Sequence, residues 1–131
     1  MKIFYLTLLV AFQISLSAAP KKIGYPSFLS PHARPILVHE GRLFVANTPS
    51  DTVDVIDTKS AKVVYRINVG VDPVSLTLRP DGKELWVANH VSDSVSVIDI
   101  NPKSRTHLSV IDTVQDFDLR TKATRFDEPV G

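Results

Sequence analysis

Without cysteine, this 131-residue chain must bind charge or move protons mainly through histidine, acidic and basic side chains. These gather in two stretches. "NHVSD" (89–93) places His90 between Asn89 and Asp93, and "QDFDLRTKATRFDEP" (115–129) carries Asp116, Asp118, Arg120, Lys122 and Arg125. A loop histidine has the chemistry of a general base, a metal ligand or a haem ligand, although a lone one is more often simply solvated. His32, His39 and His107 stand at no ligand spacing from His90 or from one another. The mixed charges of the second stretch suit an anionic ligand or a calcium ion; the plainer reading is a solvated insertion. No nucleophile motif, phosphate-binding glycine loop or zinc motif is present, so no catalytic and no metal-binding residue is assigned. The lack of cysteine also excludes disulfides, thiolate zinc sites, cysteine nucleophiles and a covalently attached c-type haem within these residues.

The elements that position these side chains are visible as a repeat. "LFVANTPSDTVDVID" (43–57) returns as "LWVANHVSDSVSVID" (85–99), 42 residues later, with ten of fifteen positions identical. Each copy decomposes into four short strands rich in β-branched residues, and no stretch after the N-terminal region keeps an apolar helical face for three turns. In the second copy "PDGK" (80–83) marks a tight hairpin, since Pro80 presets its backbone angle and Gly82 accepts a positive φ. The first copy is four residues shorter there, which predicts a tighter first hairpin. Four strands in each period of about 42 residues is the pattern of a β-propeller blade. Asn47 and Asn89 end a strand, where asparagine caps turns; Asp51 and Asp93 are expected to accept backbone N–H groups, and Asp57 and Asp99 to do so at the opposite end. Trp86, in the place of Phe44, reads as core.

Phe44-Val45-Ala46-Asn47 and Trp86-Val87-Ala88-Asn89, each followed by D-[ST]-V-x-V-I-D and the second preceded by "PDGK", resemble the repeat of the YVTN-type β-propeller family. The departures are an aromatic other than tyrosine and alanine for threonine. The resemblance covers roughly residues 33–114. It implies an all-β propeller fold; similar propellers include lactone hydrolases and periplasmic redox proteins carrying quinone or haem.

The expected organisation is a signal peptide (1–19), a lead-in (20–32), blade one (about 33–70), blade two (about 71–114), a long inter-blade loop (115–128) and the start of a third blade (129–131). "FDEPVG" at the end matches "GVDPVS" (70–75), where blade two begins. Rings usually hold about 4–8 blades. Two blades and a start therefore suggest a longer reading frame, or else a ring completed by identical chains. Naming the strands a to d, the b–c and d–a loops share one rim, and the long insertion falls there. Inserted loops on repeat scaffolds tend to carry binding. The ligand-binding candidates are accordingly Asn89, His90, Asp93, Asp116, Asp118 and Arg120.

The first nineteen residues bring Lys2, an apolar run (3–14) and small residues up to Ala19, the layout of a secretory signal peptide. The alternative is an amphipathic or buried N-terminal helix. Removal of this segment takes the formal charge from +1 to zero, which argues against nucleic acid and anionic membrane surfaces as partners. These features lead to an exported module that binds or scaffolds, with its remaining blades or identical chains, and a small molecule or protein, as partners. Periplasmic, secreted or cell-surface placement all fit. No cofactor is evident, and haem or quinone would enter only through sequence beyond these residues. The alternatives are part of a periplasmic propeller enzyme with catalytic residues in other blades, and a structural cell-surface repeat protein.

Overall fold

The computed structural model describes residues 32–124 and 129–130; the expected signal peptide and almost all of the lead-in lie outside the described residues. The first repeat folds into β1 (Ile36–His39), β2 (Arg42–Asn47), β3 (Thr52–Asp57) and β4 (Lys62–Asn68), an antiparallel meander in the order β1-β2-β3-β4. The second folds identically into β5 (Pro73–Leu78), β6 (Glu84–Asn89), β7 (Ser94–Asp99) and β8 (Ser109–Val114). The shorter first hairpin turns on Glu40 and Gly41, both with positive φ, as the type I′ geometry requires. Gly82, at φ +70°, supplies the corresponding freedom in the longer β5–β6 turn. Irregularities repeat as well: the pairing of the third and fourth strands shifts after Val55 in one sheet and after its counterpart Val97 in the other.

Alternation along each strand sends successive side chains to opposite faces. Phe44, Ala46, Val53, Val55 and Ile67 leave the first sheet on one face and meet Leu76, Leu85, Val87, Ile98, Ile100 and Leu108, forming a single core between the two sheets. Residues 34–35 stitch this interface: Ala46 N–H donates to Pro35 O at 2.8 Å and Leu76 N–H to Arg34 O at 2.9 Å. The other face of each sheet is open. Ile36 and Val38 are exposed on the first, and Trp86 on the second.

Trp86 therefore corrects the sequence reading. Its repeat counterpart Phe44 is 2% exposed, whereas Trp86 is 42% exposed. Both project from the same face of their own sheet, but only Phe44 has a second sheet against it. Trp86 instead borders a shallow hollow of 210 Å³ with Ser75, Thr77, Ala88 and Val95, and its indole N–H donates to Glu84 Oε2 at 3.0 Å. A second correction concerns 115–128. That segment contains a small hairpin, β9 (Phe117–Asp118) paired with β10 (Ala123–Thr124); residues 125–128 lie outside the described residues.

On the open face of the first sheet, Asp54 accepts from Arg66 Nε at 2.7 Å and Nη2 at 3.2 Å, and from Asn47 and Thr52. The guanidinium of Arg66 holds the Asp54 carboxyl below its ordinary range. Asp57, bonded by Ser60 N–H and its hydroxyl, and Asp99, beside the hydroxyls of Ser104 and Thr106, are lowered too.

Two outcomes are expected. Phe44→Ala should cost about 3–5 kcal/mol in urea unfolding and Trp86→Ala distinctly less, since only the first empties a packed site; equal losses would mean that both faces are covered. A lowered carboxyl binds fewer protons folded than unfolded, so its stabilisation is present at neutral pH and is lost on acidification. Unfolding followed from pH 7 downward should show stability falling below about pH 4, with a shallower fall in Asp54→Asn.

Candidate functional site

The first rim collects the β2–β3, β4–β5 and β6–β7 connections and the segment after β8. The repeated asparagines sit at its base. Asn47 Nδ2 donates to Asp54 Oδ2 at 3.2 Å, and Asn89 Nδ2 to Ser96 Oγ at 2.9 Å, each reaching a residue seven positions on. The reach ties the second strand's end to the third strand rather than capping the turn alone. Asn89 is fully buried and also donates to Ser94 Oγ at 3.2 Å, so it holds the rim from beneath. Gly70 is what allows this: a Cβ there would lie 2.6 Å from the Asn89 amide and 2.5 Å from Ser92 Oγ.

Above the asparagines the loops bond across blades. Asp51 accepts Val69 N–H on its carbonyl at 3.0 Å and Asp72 N–H on Oδ1 at 2.9 Å, so the expected acceptance of backbone N–H groups extends to the link into the second blade. Asp51 and Asp93 occupy the same left-handed position, φ 55° and 46°, a conformation that aspartate tolerates better than most residues. His90 donates its backbone N–H to Asp72 O at 2.9 Å, and its ring is half-buried. In the first copy Thr48 takes that place, donating its hydroxyl to Pro73 O at 2.8 Å and standing 2.8 Å from His32 Nε2. Gln115 Nε2 donates to Ser92 O at 3.1 Å and so fastens the segment after β8 to the same rim.

The structure brings the sequence candidates together unevenly. Asn89, His90 and Asp93 belong to one connection, and Gln115 leads from it to exposed Asp116. Asp118 is engaged by its own turn: Oδ1 accepts Arg120 N–H at 2.8 Å and Thr121 N–H at 3.4 Å, with Arg120 Nε at 3.7 Å. Arg120's side chain is 90% exposed. Among the described residues no group of three or more histidine or acidic side chains could hold a metal, and no helix is long and apolar enough to cross a membrane.

The opposite rim, formed by the β1–β2 and β5–β6 hairpins and the β7–β8 loop, holds an enclosure that sequence reasoning missed. A cavity of 130 Å³ is lined by His39, Glu40, Arg42, Phe44, Ile100, Pro102 and His107. Arg42 Nη1 and His107 Nε2 are 3.1 Å apart, though 65 positions separate them in the chain. No local spacing could have signalled this meeting.

Two four-stranded meanders stacked face to face and joined by a short link define a β-propeller repeat protein. The chain belongs to the YNCE-like beta-propeller family, whose model matches residues 23–124; this is a family of the YVTN type. No curated protein matches the chain. Among solved structures, Kuenenia stuttgartiensis hydrazine synthase is similar at 29% identity and a TM-score of 0.53, over 68% of this chain and 26% of that one. The dihydro-heme d1 dehydrogenase NirN, in complex with DHE, is similar in fold at 21% identity and a TM-score of 0.52, over 73% of this chain and 20% of that one. The chain thus spans about a quarter or less of the length of these proteins.

Gly70→Ala should destabilise by about 2 kcal/mol, because the new methyl group displaces a buried amide. Thermal unfolding checks this; a change within about 0.5 kcal/mol, the size of an ordinary surface substitution, would show that the Asn89 pocket yields freely.

Proposed function

We propose that the chain is an exported binding or scaffold module of a β-propeller, with its ligand, a small molecule or protein, contacting the rim that carries His90, Asp93, Asp116, Asp118 and Arg120, while buried Asn89 holds that rim in shape. The observation that carries this reading is the hydrogen-bonded continuity of Asp51, Asp72, His90, Ser92 and Gln115 across both blades. It presents adaptable loops on a fixed base, the arrangement on which scaffold proteins place binding. The apolar N-terminal run with its small-residue end supports export.

A second reading has a specific observation in its favour. The likeness at 29% identity is to part of an enzyme, hydrazine synthase. The chain would then be a supporting portion of a larger enzyme, with catalytic groups and any haem or quinone outside these residues. A structural surface role, built from arrayed repeats, has the repeat alone behind it.

A panel of metabolites and peptides screened by thermal shift, with mass spectrometry of the products, separates these readings. Binding without turnover is expected. The shift should vanish in the triple variant H90A/D116N/R120Q, while the ligand-free midpoint moves by less than about 0.5 kcal/mol equivalent. A shift that survives the triple variant overturns the rim assignment, and product formation favours the enzyme. The intact mass of the protein recovered from the cell envelope or medium should lack the first 17 or 19 residues.

A further inference from the structure

The cavity on the hairpin rim carries an inference independent of the proposed function. Its floor is apolar, from Phe44 and Ile100, and its polar wall carries the side chains of Arg42, His39 and His107 together with that of Glu40. Arg42 pairs with no carboxylate among the described residues; its contact there is the 3.1 Å hydrogen bond to His107. A guanidinium only donates, so His107 Nε2 accepts and its proton resides on Nδ1. That Nδ1 is buried with no hydrogen-bond partner among the described residues, and so is Nε2 of His39. Two acids stand nearby. Glu40 lies 3.9 Å from His39 Nε2, too far for a hydrogen bond, with its side chain 68% exposed. Asp99 is close enough to the His107 ring to interact with it electrostatically, while its carboxyl is held by Thr106. Buried donors left without acceptors are costly. Here His107 Nδ1 is such a donor, and the unpartnered His39 Nε2 lies beside the same pocket with a guanidinium that has N–H groups to spare.

We propose that this cavity binds a small oxyanion, a phosphate or short carboxylate, through Arg42, His107 and His39. The chemical complement of convergent donors is a group that only accepts, and a guanidinium fork matches phosphate and carboxylate geometry. The 130 Å³ enclosure sets the size at a single such group. Both blades contribute: His39 and Arg42 come from the first, and His107 from the loop before β8 in the second. The ligand would therefore bridge the interface where the two sheets meet. Glu40, at the mouth, opposes an anion and sets how tightly one is held. Asp81, Lys83 and Lys103 border the adjoining groove and contribute opposing charges further out.

The test is titration of the intact protein, with ¹⁵N-labelled histidine, by inorganic phosphate and in parallel by acetate at constant ionic strength. His39 and His107 ring signals should shift and saturate, while those of His32 and His90, on the opposite rim, stay in place. Saturation by either anion supports the site and tells whether its ligand is tetrahedral or planar. Arg42→Gln should abolish the shifts, and Glu40→Gln should tighten binding roughly fivefold by removing a nearby like charge. Shifts that grow linearly without saturating, that chloride reproduces, or that persist in R42Q overturn the proposal. Where R42Q fails to fold, the exposed E40Q variant decides: tighter binding supports the site, and unchanged binding overturns it. Loss of the opposite rim's ligand in H90A/D116N/R120Q should leave the phosphate response intact, so the two assignments fail separately.

Discussion

A propeller blade is a small twisted sheet with apolar side chains on both faces, and it becomes stable only where another sheet covers it. This requirement organises everything else in the chain. The contact between the two meanders buries Phe44, Val53 and Val55 against Leu76, Leu85 and Ile98, and the main core cluster lies within that contact. The segment at residues 34–35 runs between β2 and β5 and closes their backbone groups, so the sheets are joined by hydrogen bonds as well as by packing. The outward faces carry the same kinds of residue with no sheet against them, and Ile36, Val38 and Trp86 are exposed for that reason. Such faces are what a further blade, in the same chain or another, would cover.

Around this core the repeat preserves devices as well as strands. The asparagine that ends the second strand reaches seven residues ahead in both blades, to Asp54 in one and Ser96 in the other. The partner differs because its surroundings do. Asp54 lies on the open face, where Arg66 satisfies its charge, while Ser96 faces the first blade and is buried, where an unpaired carboxylate would be costly. Asp51 and Asp93 close equivalent loops in left-handed geometry. Gly70 leaves room for Asn89, which makes the link between blades part of the rim's foundation.

The two rims offer different chemistry. One is a broad, hydrogen-bonded surface of loops; the other holds a small pocket lined by His39, Glu40, Arg42 and His107 between the hairpins. Membership of the YNCE-like beta-propeller family establishes the scaffold, and scaffolds of this kind host many activities. What a given member does must come from its rims and from the blades that complete it.

The sequence by itself determined the local architecture. The 42-residue period, the β-branched runs and the turn at Gly82 specify eight strands in two meanders, because strand alternation and turn geometry are properties of neighbouring residues. It also located the acceptor roles of Asp57 and Asp99, each bonded to backbone N–H groups within three residues. The burial of the aromatic pair was not legible in the same way. Phe44 and Trp86 occupy one repeat position, and alternation says which face they share, but only the stacking of sheets says which face has a neighbour. The hairpin-rim cavity was illegible for a related reason. His39, Arg42 and His107 come from different blades, and the distance between them is set by how two sheets pack, not by any spacing along the chain.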